Sequence, residues 1–228
     1  MATFVLVPGA ASGPWYWHLL ATELRERGHD VVAADVPCDD DSAGLSEYAD
    51  AVVDAIGDRT GLVLVAHSFG GFTAPLVCDR MPVDLLVMLQ AMVPSPGEPP
   101  GAWWANTGHQ PASPEPAEHE GGDTGGGDDV IATYFHDVPP ELAAEAIEKG
   151  RGQSGTPMGR PWPLDRWPDV PVKFLLCSED RLFPADFMRR VVRERLGVTP
   201  DEIPTGHLPM LSRPKELAER LVAYVNHR

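Results

Sequence analysis

The sequence predicts a single α/β domain over residues 1–228: a mostly parallel sheet with helices on both faces and a short lid insertion. Three observations predict it. Short β-branched runs alternate with helical patterns, the rhythm of successive βαβ units. The runs are nearly continuously apolar, which marks strands buried on both faces. With 228 residues, 43% of them apolar and 23% charged, the chain has the size and composition of one globular domain with a sizeable core.

Each element has its own justification. "TFVLV" (3–7) reads as the first strand, and a helix over 15–27 follows, closed by Gly28 as its C-cap. "DVVAA" (30–34) is a strand leading to a helix near 45–56. "LVLVA" (62–66) is a strand leading to a helix that starts near Gly70. "LLVML" (85–89) and "KFLLC" (173–177) are further buried strands. "FMRRVVRERL" (187–196) and "PKELAERLVAYV" (214–225) are amphipathic helices, the second opened by Ser212 and Pro214.

Residues 94–171 break the rhythm. They are rich in Pro, Gly and acid, and include "PASPEPAEHEGGDTGGGDD" (111–129), which cannot build a packed core alone. A helix near 141–149 interrupts them. The expectation is a lid over the carboxyl edge of the sheet with a flexible tip; the plainer alternative for the Gly-rich part is a surface loop without a role.

Composition excludes several partners. Acidic residues outnumber basic ones 34 to 18, giving a formal net charge of −16, so phosphate backbones and anionic lipid heads are repelled. Neither nucleic acid nor a membrane is expected as a partner. No apolar run approaches the ~18 residues of a membrane span. The N-terminus lacks the basic region of a signal peptide. The three cysteines, Cys38, Cys78 and Cys177, form no C-x-x-C pair and read as reduced, buried thiols. Together these make a soluble, cytoplasmic chain the expectation. Oligomeric state leaves no mark in the sequence.

In parallel sheets ligands bind beyond the carboxyl ends of the strands, so chemistry is sought just after each strand. The third strand ends in "AHSFGG". A serine between a strand and a helix, flanked by small residues, fits a nucleophile elbow. The turn is so tight that the serine takes a positive φ, and the residues two before and two after it must be small. Here they are Ala66 and Gly70, and Gly71 lets the next helix pack closely. Alanine in the first place is a variant of the usual glycine. The alternative is that Ser68 only caps a helix.

A serine hydroxyl needs a base, and the base needs an orienting acid. "CSEDRLFP" follows the fifth apolar run and offers Asp180, with Glu179 as the rival acid. "TGHLPML" offers His207, in a loop before the last helix. The intervals leave room for a strand and lid, then for a helix and a short strand, so all three residues reach one sheet edge. His67 adjoins the serine but would point away from it. His18, His29, His109, His119, His136 and His227 read as solvated or capping histidines. The loop after the first strand, "VPGAASGPWYW", brings backbone close to the serine, so the amides of Ala10 and Phe69 are the candidate oxyanion donors. Trp15, Tyr16 and Trp17 read as packing on the first helix. Met92, Trp103, Trp104 and Leu208 are the candidate walls of an apolar pocket, with lid packing as the alternative.

"PGAASGPWYW", "AHSFGG", "CSEDRLFP" and "GHLPML" together resemble the α/β-hydrolase superfamily. More narrowly, they resemble the small esterases related to plant methylesterases and hydroxynitrile lyases. The resemblance spans most of the chain except the lid. It implies Ser68 as nucleophile, His207 as base, Asp180 as orienting acid, and no cofactor. Two positions depart from the group: Pro8 stands where a histidine is common, and Leu208 where the lyase branch has a lysine. Leu208 argues against cyanohydrin cleavage.

The leading expectation is therefore a serine hydrolase acting on a small carboxylic ester through an acyl-enzyme. A thioesterase, a lyase or decarboxylase-like variant, and a non-catalytic receptor for a small ligand are the alternatives. No metal site is expected, because "CDDD" (38–41) and "DTGGGDD" (123–129) lack EF-hand spacing and histidine partners.

Overall fold

The structure, a computed structural model, describes residues 1–109 and 127–226. Most of the Gly-rich stretch, with His119, and also His227 lie outside the described residues. Six strands form one sheet: β1 (Thr3–Val7), β2 (Asp30–Ala33), β3 (Leu62–His67), β4 (Leu85–Leu89), β5 (Val172–Cys177) and β6 (Asp201–Ile203). Their order is β2-β1-β3-β4-β5-β6, and every neighbouring pair is parallel. All six carboxyl ends therefore share one edge, with β3 near the middle.

The apolar runs are continuous because both faces are covered. Val5, Val7, Leu64, Ala66, Leu86, Met88, Phe174 and Leu176 point into one core, packed by α2 (Leu45–Ile56), α3 (Gly70–Arg80) and α7 (Ala185–Leu196). Phe4, Leu6, Val63, Val65, Val87, Leu89, Leu175 and Cys177 point into the other, packed by α1 (His18–Glu26) and α9 (Pro214–Asn226). Burying alternate residues of one strand in two separate cores is what removes the period-2 pattern.

Helix boundaries differ in places from the sequence expectation. The first helix opens as a 3-10 turn over Pro14–Trp17, with Pro14 in its first position, before α1 begins at His18. Gly28 follows at φ +82°, a left-handed value that suits the end of a helix. Helix α7 starts at Ala185, behind Pro184. Helix α6 (Pro140–Glu148) matches the helix expected in the insertion, while α4 (Trp103–Thr107), α5 (Gly127–Tyr134) and the single turn α8 (Pro209–Ser212) add to the expectation.

The described parts of the insertion are tied to the body. The Trp162 indole is buried and donates to the Phe72 carbonyl at 3.0 Å. Phe135, Val138, Ala143 and Ala146 sit in the second core. Tyr16 donates to the Ala146 carbonyl at 2.7 Å. At the root of the insertion Glu98 is buried against Arg195 of α7, with both carboxylate oxygens bound, at 2.6 and 2.9 Å. Among the described residues no helix is long and apolar enough to cross a membrane.

Candidate active site

Ser68 follows β3 directly and has φ +50°, a costly value for a residue with a side chain. The structure shows what holds it. Its carbonyl accepts from the Gly71 amide at 3.1 Å and from the Met92 amide at 2.9 Å. A Cβ on Gly70 would stand 2.7 Å from the Pro8 carbonyl oxygen, and one on Gly71 would overlap the Met92 carbonyl. The small residues that the elbow requires are thus required by named backbone neighbours, the ends of β1 and β4.

Gly9 brings the loop after β1 against this turn: a Cβ there would lie 3.0 Å from the Ser68 Cβ. Ala11 in the same loop has φ +55°. Its amide donates to the Gln153 side chain at 3.1 Å, its carbonyl accepts from the Arg151 amide at 2.9 Å, and the Ser12 hydroxyl donates to the Gly9 carbonyl at 3.0 Å. Among the described residues the amides of Ala10 and Phe69 have no protein acceptor. Phe69 precedes α3, so its N–H belongs to the unspent amides at a helix start.

Asp180 lies in the loop after β5 and His207 in the loop after β6. Both are buried, and His207 Nδ1 is 2.8 Å from Asp180 Oδ2. An ionised carboxylate only accepts, so Nδ1 carries a proton, and Nε2 is the ring nitrogen left free of the carboxylate. Burial pushes the Asp180 carboxyl up. The charge of His207 and hydrogen bonds from His207, Gln90 and the Leu182 amide outweigh it and leave the carboxyl below its ordinary value. Asp180 therefore stays ionised although it is buried. Glu179 contributes backbone only: its amide donates to Thr205 and its carbonyl accepts from His136.

His67 turns away from Ser68, as expected, and its Nε2 lies 2.8 Å from the His207 carbonyl oxygen. Burial first, and then His207, lower its pKa to about 3, so it is a neutral donor. Phe183 packs on the His207 ring at a centroid distance of 5.5 Å, and Tyr134 meets it edge-on at 5.6 Å.

The pocket candidates separate. Leu208 and Met92 are nearly buried beside His207 and the elbow, and Trp104 is half-buried with its ring on Phe183. Trp103 requires a correction. It is fully buried, its indole N–H donates to the Val93 carbonyl at 3.0 Å, and Phe183 and Phe187 pack on its ring. It belongs to the core because its single polar atom is spent on backbone. Trp17 is likewise buried in the core, and Tyr16 beside it. His109, expected to be a solvated or capping residue, is buried among Trp104, Phe183 and Phe187.

Gln90 is the residue that sequence reasoning missed. It ends β4 at φ +44° and is fully buried. Its side-chain amide donates to Asp180 Oδ2 at 2.7 Å and to the Phe183 carbonyl at 3.0 Å, and its oxygen accepts from the Cys177 amide at 2.9 Å. A polar residue closing the run "LLVML" was the available signal. Among the described residues no three of His, Cys, Asp and Glu come together as metal ligands.

A parallel sheet carrying a serine on a strained turn, with an Asp–His pair at the same edge, defines a class. The chain belongs to the alpha/beta hydrolase family, whose profile matches residues 4–220. Its relatives include methylesterase 7 of Arabidopsis thaliana, 27% identical over 96% of this chain and 94% of that protein. Norfluorocurarine synthase 1 of a Strychnos species is 25% identical, over 96% and 93% of the two chains. The crystal structure of polyneuridine aldehyde esterase superposes with a TM-score of 0.84 at 22% identity, covering 98% of this chain and 99% of that one.

Proposed function

We propose that the chain is a cofactor-free serine hydrolase that cleaves small carboxylic esters. The observation that carries this reading is the buried 2.8 Å contact between His207 and Asp180 at the sheet edge where Ser68 stands on its strained turn. Esterases and methylesterases among the relatives support the substrate class. Methyl esters are its first candidates.

In this mechanism the Ser68 hydroxyl attacks the ester carbonyl carbon while His207 Nε2 takes its proton. Asp180 holds the imidazolium that results. The negative oxygen of the tetrahedral intermediate takes hydrogen bonds from the Ala10 and Phe69 amides. The intermediate collapses, the ester C–O bond breaks, and His207 returns its proton to the leaving alcohol. Water, deprotonated by His207, then attacks the acyl-enzyme and releases the carboxylic acid and Ser68.

Met92, Trp104 and Leu208 form the apolar wall in this reading, and the described parts of the insertion, 94–109 and 127–171, serve as the lid. The charge of −16 suits release of an anionic acid product and disfavours phosphate-bearing partners. Its compartment is the cytoplasm, where buried free thiols such as Cys38 and Cys177 persist.

Initial rates on short- and medium-chain p-nitrophenyl esters and on methyl esters test the proposal, with wild type against Ser68→Ala. Turnover in wild type alone is the expected result. Equal turnover in both sinks the assignment. Tight ligand binding without turnover by wild type would make the chain a receptor.

A further inference from the structure

The inserted segment grips both loops that carry the Asp–His pair. After α5 the chain turns through residues 134–137. His136 Nε2 donates to the carbonyl of Glu179, the residue before Asp180, at 3.1 Å. Arg181, the residue after Asp180, donates to the Ala132 carbonyl at 2.8 Å. Asp137 Oδ2 accepts from the amide of Gly206, the residue before His207, at 2.7 Å.

Gly206 has no room for a side chain. A Cβ there would lie 2.7 Å from His136 Nε2 and would run into the Asp137 carboxylate. The absent side chain lets the carboxylate reach the backbone, and it also leaves a permissive residue next to His207. That freedom is removed from both sides. Asp137 holds the Gly206 amide before His207, and His67 holds the His207 carbonyl after it.

We propose that Asp137 is a positioning residue for His207, fixing the base through the Gly206 amide and thereby making the inserted segment part of the catalytic framework. The inference rests on the reading of His207 as the base. It assigns Asp137 no contact with substrate. Its mark is therefore a fall in kcat with KM retained, and a change in the His207 ring environment.

The test combines two readouts on the full chain. One is kcat and KM on p-nitrophenyl acetate. The other is the downfield proton resonance of the His207–Asp180 hydrogen bond, identified by its loss in His207→Gln. In Asp137→Ala, kcat falls about tenfold with KM within about twofold, the size expected of a base displaced by a fraction of an ångström. The resonance shifts or broadens. Asp137→Asn restores both readouts, because its amide oxygen accepts from the same N–H. Should Asp137→Ala fail to fold, Asp137→Ser, whose hydroxyl is too short to span the gap, carries the same expectations. Wild-type kcat and an unmoved resonance in the Ala or Ser variant overturn the proposal. Ser68→Ala, measured alongside, separates the two levels. If it retains turnover the hydrolase reading fails, and the resonance alone decides whether Asp137 positions His207.

Discussion

His67 precedes Ser68 in the chain, yet its ring nitrogen donates to the carbonyl of His207 at 2.8 Å, joining the strand of the serine to the loop of the histidine. The bond needs a proton on Nε2; burial outweighs the pull of this bond towards the charged ring and lowers the pKa to about 3, so the ring is neutral with its one proton there.

A pH dependence of stability follows from His67. An unfolded histidine binds its proton near pH ~6.5, whereas folded His67 binds one only near 3. Between these values the unfolded chain holds more protons, so stability falls as the pH drops from ~6.5 towards 3. His67→Gln keeps an N–H donor and takes up no proton. Denaturant midpoints measured across this range should fall less steeply in the variant; parallel slopes would contradict the assignment.

Gln90→Leu removes a donor to Asp180 and leaves the Cys177 amide buried without an acceptor. The expected loss of stability is about 1–3 kcal/mol. The expected fall in kcat is about tenfold, because Asp180 keeps its bonds from His207 and the Leu182 amide. Urea unfolding and steady-state kinetics read the two effects separately. A variant with wild-type kcat would show that Gln90 serves the fold alone.

Gly9→Ala places a methyl group 3.0 Å from the Ser68 Cβ and 3.2 Å from His67 Nδ1. The loop has to retreat, taking the Ala10 amide with it. A fall in kcat of about ten- to a hundredfold is expected with the protein still folded. Circular dichroism and kinetics on the purified variant check this, and unaltered kcat would remove Ala10 from the oxyanion site.

Glu98→Gln leaves the partly exposed Arg195 beside a neutral partner. Because Arg195 keeps some solvent and its bond to the Val93 carbonyl, the expected loss is about 1–3 kcal/mol. Burial raises the Glu98 carboxyl, but Arg195 and Asn106 bring it below its ordinary value. The pair therefore stabilises the fold above the unfolded carboxyl pKa of ~4.3 and loses that contribution as the pH falls through the lowered one. Thermal midpoints at neutral pH should drop in the variant, and a difference between the proteins that did not shrink in acid would contradict this account.

Strands β1 to β5 were legible because each carries its own apolar run, whereas β6, with the sequence DEI, carries none; the candidate residues Ser68 and Asp180 stood out because each comes shortly after such a run. "SEDRLFP" offered two adjacent acids, of which spacing favoured Asp180 over Glu179; in the structure Asp180 is the one that meets His207. Trp103 was misplaced because an indole in a pocket wall and one in a core look alike in sequence. Gln90 left only the signal of a polar residue after an apolar run, and Asp137 left none, since each acts on a loop distant in the chain and no local spacing records that pairing. Helix α5 begins beside the Gly-rich stretch, where composition favours loop.

The most direct test of the central claim is trapping of the acyl-enzyme. Wild type mixed rapidly with p-nitrophenyl acetate, quenched in acid and digested should carry one acetyl group on the peptide containing Ser68. Ser68→Ala should carry none. An acetyl group on another residue, or rapid turnover with Ser68 unmodified, would contradict the account.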